Sequence, residues 1–265
     1  MRISREQLHE MFGKEHLSYS SLKYALGDMA LWDMYMRGKL KKDSDALRFG
    51  SMYDMLLFER EKAMGLYQVY NDDSIIDKVK ELRPELKNVK ASKEYKEELA
   101  SLKEKEQNGE IILVSKEDWA TANEMIDRLI DCGLFANRMQ GKYQVEFNTD
   151  ILGFPVKGFL DVLNDDYITD SKSTRSIAKF RYQVFDLSYD IQAWIYTQVF
   201  DQPEYYWVAQ EKAYPYYPAE IKCSEETLFK GEMKVYEALS NIEKFMNDVH
   251  KSNAKTTVFF ESFEV

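Results

Sequence analysis

The stretch "GFLDVLNDDYITDSKSTRS", residues 158–176, decides how this chain folds. Two apolar, β-branched runs end at Leu163 and resume at Ile168, and the polar residues Asn164-Asp165-Asp166-Tyr167 between them read as a hairpin turn. A two- or four-residue loop centred there pairs Leu163 with Ile168, Val162 with Thr169 and Asp161 with Asp170. Directly opposite residues bring their Cβ atoms to about 4.5–5.5 Å, and like charges so placed destabilise a sheet unless something neutralises them. Lys172, two residues beyond Asp170, projects from the same face. Lys172 alone makes a plain ion pair; a divalent cation neutralises both acids more fully. Closely spaced oxygen ligands suit Mg²⁺, with Mn²⁺ able to substitute. Such an ion polarises a phosphoryl oxygen and lowers the pKa of bound water, leaving Lys172 to orient that water or stabilise charge developing on phosphorus.

Working outward, "YQVEFNTD" alternates as a strand should, and "FPVKGFLDVL" and "YITDSK" follow it. After "SKSTRS" the pattern predicts a short helix, a longer one near 187–200, two strands ("YYWVAQEK" and "YYPAEIKC") and a helix over roughly 224–249. Upstream, Leu22, Ala25, Leu26, Met29, Trp32 and Met36 keep helical spacing behind a Ser18 or Ser20 cap. Further helices are expected over Asp45–Glu59 and Ser115–Asp131. The Lys/Glu-rich residues 74–107, interrupted by Pro84, read as two exposed helices or a partly mobile excursion rather than core. No internal repeat is evident. Helices come first and then a mostly antiparallel sheet with helices inserted, which makes the class α+β, loosely α/β.

Composition bounds the function. The 265 residues, 45% hydrophobic and 14% aromatic, suffice for a single domain spanning 1–265, with a helical part over 1–135 and a core over about 140–250. "MRISREQLHE" has no signal h-region and no apolar run is long enough to span a bilayer, so a soluble cytoplasmic protein with no membrane partner is expected. Cys132 and Cys223 are too few for a disulfide framework or a four-thiolate cluster, and His9, His16 and His250 are too scattered for a histidine zinc site. Net charge is −10, against the usual basic character of a nucleic-acid binder. DNA contact depends on local charge, however. "SKSTRSIAKFR" (171–181) carries Lys172, Arg175, Lys179 and Arg181 with no acid, and "RGKLKK" (37–42) is a second basic patch.

Asp161 followed nine residues on by Asp170-Ser171-Lys172 resembles the D…(D/E)XK core of the PD-(D/E)XK nuclease superfamily, although Leu160 stands where the superfamily's name has proline. Gln192 and Tyr196, in "DIQAWIYTQVF", match the QxxxY helix motif of its RecB-like branch and at i, i+4 share one helix face. "SYSSLKYAL…ALRFGSMYDMLLFE" is similar to the opening of RecE-type exonucleases (exonuclease VIII). Aligning "LLFE" with that opening puts Asp54 where the family usually has a metal-binding histidine, and aspartate is itself a competent oxygen ligand.

The resemblance implies a restriction-endonuclease-like core, a central mixed sheet flanked by helices behind a helical N-terminal region. It implies an Mg²⁺-dependent exonuclease that degrades linear double-stranded DNA from its ends, usually 5′→3′. Such enzymes leave 3′ single strands for phage-type recombination in a bacterial host, as trimeric or tetrameric rings beside a single-strand annealing protein. Carried over by position, Asp54, Asp161, Asp170 and the Ser171 carbonyl would be metal ligands and Lys172 the catalytic lysine. Gln192 and Tyr196 would position phosphate or that lysine. Glu146 would hold an attacking water or be an outward-facing strand acid. Arg175 and Lys179 are candidates for DNA phosphate contacts, which give sequence-independent, salt-sensitive binding. Two other readings compete: a structure-specific endonuclease of the same fold, and a non-catalytic DNA-binding subunit marked by Asp54 in place of histidine.

Overall fold

The protein is seen in a computed structural model that describes residues 3–40 and 44–252. Lys41 and Lys42 of the second basic patch and the tail "KTTVFFESFEV" lie outside the described residues. The chain divides into two compact units, the first drawn from residues 1–42, 134–209 and 218–265, the second from 43–133 and 210–217.

The first unit opens with α1 (Arg5–Phe12), α2 (Tyr19–Gly27) and α3 (Met29–Met36). The continuous periodicity over 18–36 hides a break. Asp28 adopts an extended backbone, and its carboxylate accepts from the Ala30 N–H at 2.7 Å, starting a new helix. Ser18 caps α2 as its sequence suggests.

In the second unit come α4 (Asp45–Phe58), α5 (Arg60–Leu66), β1 (Tyr67–Tyr70), α6 (Asp72–Leu82), α7 (Lys93–Gln107), β2 (Ile112–Ser115) and α8 (Lys116–Asp131). β1 and β2 pair in parallel. Phe49, Met52, Tyr53 and Leu56 of α4 close a core with Ala122, Met125 and Ile126 of α8. The Lys/Glu-rich segment forms two helices, the first of the two expected alternatives, but they are not merely exposed: Ile75 and Val79 of α6 share a small core with Val89 and with Tyr95 and Leu102 of α7. Those apolar residues recur at helical spacing, and the density of charge around them obscures the stripe.

The chain then returns to the first unit with α9 (Leu134–Arg138), β3 (Lys142–Ile151), β4 (Phe154–Leu163), β5 (Ile168–Thr174), α10 (Ile177–Asp186), α11 (Tyr189–Phe200), β6 (Tyr205–Glu211), β7 (Pro218–Lys222) and α12 (Glu225–Ser252). The sheet order is β3-β4-β5-β6-β7. β3 and β4 form a hairpin across Leu152-Gly153, both at positive φ (57° and 87°), which is the twist-compatible primed turn. β4 and β5 pair antiparallel with Val162 opposite Thr169 and Leu163 opposite Ile168, the register read from the sequence. From β5 the chain crosses through α10 and α11 to β6, the kind of connection a parallel neighbour requires, so the sheet is mixed.

α11 is buried from Asp190 to Thr197, its polar Asp190, Gln192 and Thr197 included. Ile191, Ala193, Ile195 and Tyr196 belong to the same core as Tyr205 and Trp207 of β6. α12 packs along α11 and α2. It comes so close at Gly231 that a Cβ there would lie 2.1 Å from the Asp190 carbonyl oxygen. Among the described residues no helix is long and apolar enough to cross a membrane.

Candidate active site

β4 and β5 bring Asp161, Asp170 and Lys172 together. The Asp170 carboxylate is 1% exposed and forms an ion pair with the Lys172 ammonium, itself 16% exposed. Asp161 is held from two sides: its Oδ2 accepts from the Ser171 backbone N–H at 2.9 Å, and its Oδ1 from Gln144 Nε2 at 3.1 Å. Burial pushes the Asp170 carboxyl up, Lys172 pulls it back, and the neighbouring Asp161 charge adds to the rise. For Lys172 burial favours the neutral amine, yet Asp170 and then Asp161 hold its ammonium above the ordinary lysine range. Two acids share one lysine in a site where Asp170 is buried and Asp161 and Lys172 are half-buried.

The QxxxY residues lie on the buried face of α11. The Tyr196 hydroxyl donates to the Phe159 carbonyl of β4 at 2.6 Å and accepts from Gln192 Nε2 at 3.1 Å. Burial raises the Tyr196 phenol, and Asp170 adds to the rise, so the hydroxyl stays a donor. These bonds tie α11 to the strand that carries Asp161.

Residues 18–256 fit the family model described as a PDDEXK-like domain of unknown function. The chain belongs to this PDDEXK-like family. A crystal structure of a candidate exonuclease from Eubacterium rectale aligns at a TM-score of 0.59 and 18% identity, covering 100% of this chain and 97% of that one. Looser likenesses are a phage-related exonuclease from Haemophilus somnus (TM-score 0.34, 13% identity, 62% and 85% covered) and an alkaline exonuclease from Laribacter hongkongensis (TM-score 0.30, 13% identity, 62% and 88% covered). Only the first likeness is close enough to speak for a shared fold. No curated protein matches the chain.

The remaining expected residues of the PDDEXK-like chain are distributed as follows. Glu146 is exposed on β3 and pairs with Lys157 of β4. It lies opposite Phe159, on the sheet face shared with Asp161. Arg175 and Lys179 are exposed at the end of β5 and on α10, immediately past the site. Asp54 is half-buried on α4 in the second unit, where its charge helps raise the Tyr67 phenol after burial has done most of it. Among the described residues no three His, Cys, Asp or Glu side chains form a ready metal cage. The donor set around Asp161 and Asp170 nonetheless fits a hard divalent cation. It is all oxygen, it carries one more negative charge than Lys172 offsets, and Mg²⁺ takes only one or two carboxylates and completes its shell with water and phosphate.

Two neighbours of the site were not legible in the sequence. Gln144 sits at φ 49° within β3, between the pairs Tyr143–Val162 and Val145–Leu160, and spends its amide on the Asp161 carboxylate. Tyr189, just before the QxxxY motif, places its ring 5.0 Å from Lys172 Nζ, and no spacing rule points to it.

Proposed function

We propose that this chain is a divalent-metal-dependent deoxyribonuclease that hydrolyses linear duplex DNA from its ends. The observation that carries this reading is the buried Asp170–Lys172 pair with Asp161 fastened beside it by the Ser171 N–H. Asp161, Asp170 and the Ser171 carbonyl would hold Mg²⁺ or Mn²⁺, which supplies polarisation of the phosphoryl oxygen and acidification of bound water. Lys172 presents a permanent ammonium where charge gathers on phosphorus. Ser171 and Gln144 orient the Asp161 carboxylate. Gln192 and Tyr196 keep α11 and β4 in register, so Lys172 and the carboxylates stay aligned. Arg175 and Lys179 are exposed where backbone phosphates would approach, a sequence-independent contact that offsets the chain's net negative charge locally. Glu146 is the accessory acid in this reading, and a ligand role for Asp54 rests on the RecE-type resemblance alone.

The exonuclease name of the Eubacterium rectale structure supports action at DNA ends. A 5′→3′ direction, a trimeric or tetrameric ring and an annealing-protein partner in phage-type recombination extend the proposal on the RecE-type resemblance.

The test is digestion of linear duplex DNA labelled at one end, with Mg²⁺, beside a closed-circular control. We expect early release of the 5′ label, an intact circle, no cleavage in EDTA, and at least a hundredfold loss in Lys172→Ala. Cleavage of the circle would favour the endonuclease. A wild-type protein inert with both Mg²⁺ and Mn²⁺ would overturn the enzymatic reading.

A further inference from the structure

Lys172 is held by more than its acid partner. Its Nζ lies 5.0 Å from the centroid of the Tyr189 ring. The ring in turn rests on Phe180, with centroids 6.1 Å apart, and Phe180 is 1% exposed and meets Trp207 at 6.3 Å. The half-buried Tyr189 ring thus borders a buried aromatic cluster.

The backbone that delivers Tyr189 is constrained as well. Ser188 occupies the left-handed region at φ 60° and ψ 34°, and its side chain makes no cap to α11. A residue with a Cβ persists there only where its surroundings impose the conformation, and such residues gather at functional sites. Here the surroundings are visible. The Tyr19 hydroxyl of α2 donates to the Leu187 carbonyl. Lys234 of α12 donates to the Phe185 carbonyl at 3.2 Å and to the fully buried Asp190 at 3.1 Å. Leu187-Ser188-Tyr189 is a strap fastened on both sides.

We propose that Tyr189 is a positioning residue for Lys172: the ring face, delivered by the strained Ser188 turn and pinned through Tyr19, fixes where the ammonium points. A cation is attracted to the face of an aromatic ring, more strongly when water is excluded. The lysine stem is flexible and the ammonium a point charge, so one carboxylate sets its distance but not its direction. The ring supplies the second constraint. The catalytic consequence rests on the nuclease reading above, whereas the geometry at Lys172 does not.

Two measurements separate these. In metal-free, DNA-free protein carrying ¹³C-lysine, the Lys172 ε-methylene signal, assigned by its loss in Lys172→Arg, should be shifted upfield by the Tyr189 ring current. That shift should survive in Tyr189→Phe and vanish in Tyr189→Leu. In the end-labelled digestion, Tyr189→Leu should lose about tenfold in kcat with KM little changed, and Tyr189→Phe should recover most of the wild-type rate. Should Tyr189→Leu fail to fold, Tyr19→Phe, which only unpins the strap, should move the same signal and lower kcat about threefold. A Lys172 signal indifferent to both substitutions overturns the proposal. So does a lowered melting temperature with kcat unchanged, the mark of a purely structural role. A wild type that cuts no DNA removes the nuclease reading and leaves the NMR result to decide the strap.

Discussion

Gly231→Ala is the substitution whose effect the structure defines most sharply. The added Cβ would stand 2.1 Å from the Asp190 carbonyl oxygen, against about 3.4 Å for an ordinary contact, so α12 must retreat from α11 by roughly 1 Å or more. Forced overpacking of this kind costs about 1–3 kcal/mol. The same movement pulls Lys234 from Asp190, now 2.8 Å apart, with Asp190 wholly buried and 27% of the Lys234 side chain exposed. Breaking a buried pair costs about 3–5 kcal/mol, and the solvent reaching Lys234 argues for well below that. Together the two effects come to about 3 kcal/mol, a fall in melting temperature of roughly 6–12 °C. Tryptophan fluorescence is a suitable probe, since three of the four tryptophans (Trp32, Trp194 and Trp207) belong to the first unit. Gly65→Ala is the control. It lies in α5 with nothing within 4 Å of the added Cβ, and should stabilise by roughly 0.5–1 kcal/mol through helix propensity. A Gly231→Ala protein melting within about 2 °C of wild type would refute the close-approach argument.

Three further outcomes are expected. Leu152 is 45% exposed and adopts φ 57° ahead of Gly153; Leu152→Asn gives that primed turn its favoured residue and should raise stability by about 0.5–1 kcal/mol in urea titration, with m unchanged. Gln210 is fully buried, accepts from Tyr53 Oη at 2.7 Å and donates to the Met125 and Tyr216 carbonyls at 2.7 and 3.0 Å. Gln210→Leu should therefore cost the second unit about 2–4 kcal/mol, and an unchanged midpoint would count against the network. Hydrogen bonds from Lys90, then Tyr70 and Tyr95, hold the Asp72 carboxyl well below the usual carboxylate range. A carboxyl lowered by folding adds stability that is present above its unfolded pKa and lost as pH falls through the folded one. Asp72→Asn should accordingly flatten the acid-induced fall in melting temperature below about pH 4, and an unaltered acid limb would contradict it.

The hairpin at the centre of the site was legible because its determinants are local. Apolar residues alternate on either side of Asn164-Asp165-Asp166-Tyr167, and the Asn164 N–H closes that turn on the Tyr167 carbonyl at 3.0 Å. A four-residue turn sets the register, and the register sets which faces Asp161 and Lys172 occupy. Most helices were legible on the same grounds. The break at Asp28 was not, since a cap is a single side chain inside an unbroken apolar stripe. The core under the Lys/Glu-rich helices was hidden because composition counts charges without regard to which face of a helix they occupy.

What the sequence determined by itself, then, was what period and spacing encode: the strand pairing, the acid–acid–lysine set and the QxxxY face of α11. Only the tertiary structure decided what lies across from them. It brought Tyr19 from α2 to the Leu187 carbonyl, 168 residues away along the chain, and Tyr189 from the start of α11 to Lys172. It turned Gln144 onto Asp161 through a backbone angle no alternation rule contains. It also set how far the Asp170 carboxyl rises, because desolvation depends on everything packed around a group and not on its neighbours in sequence.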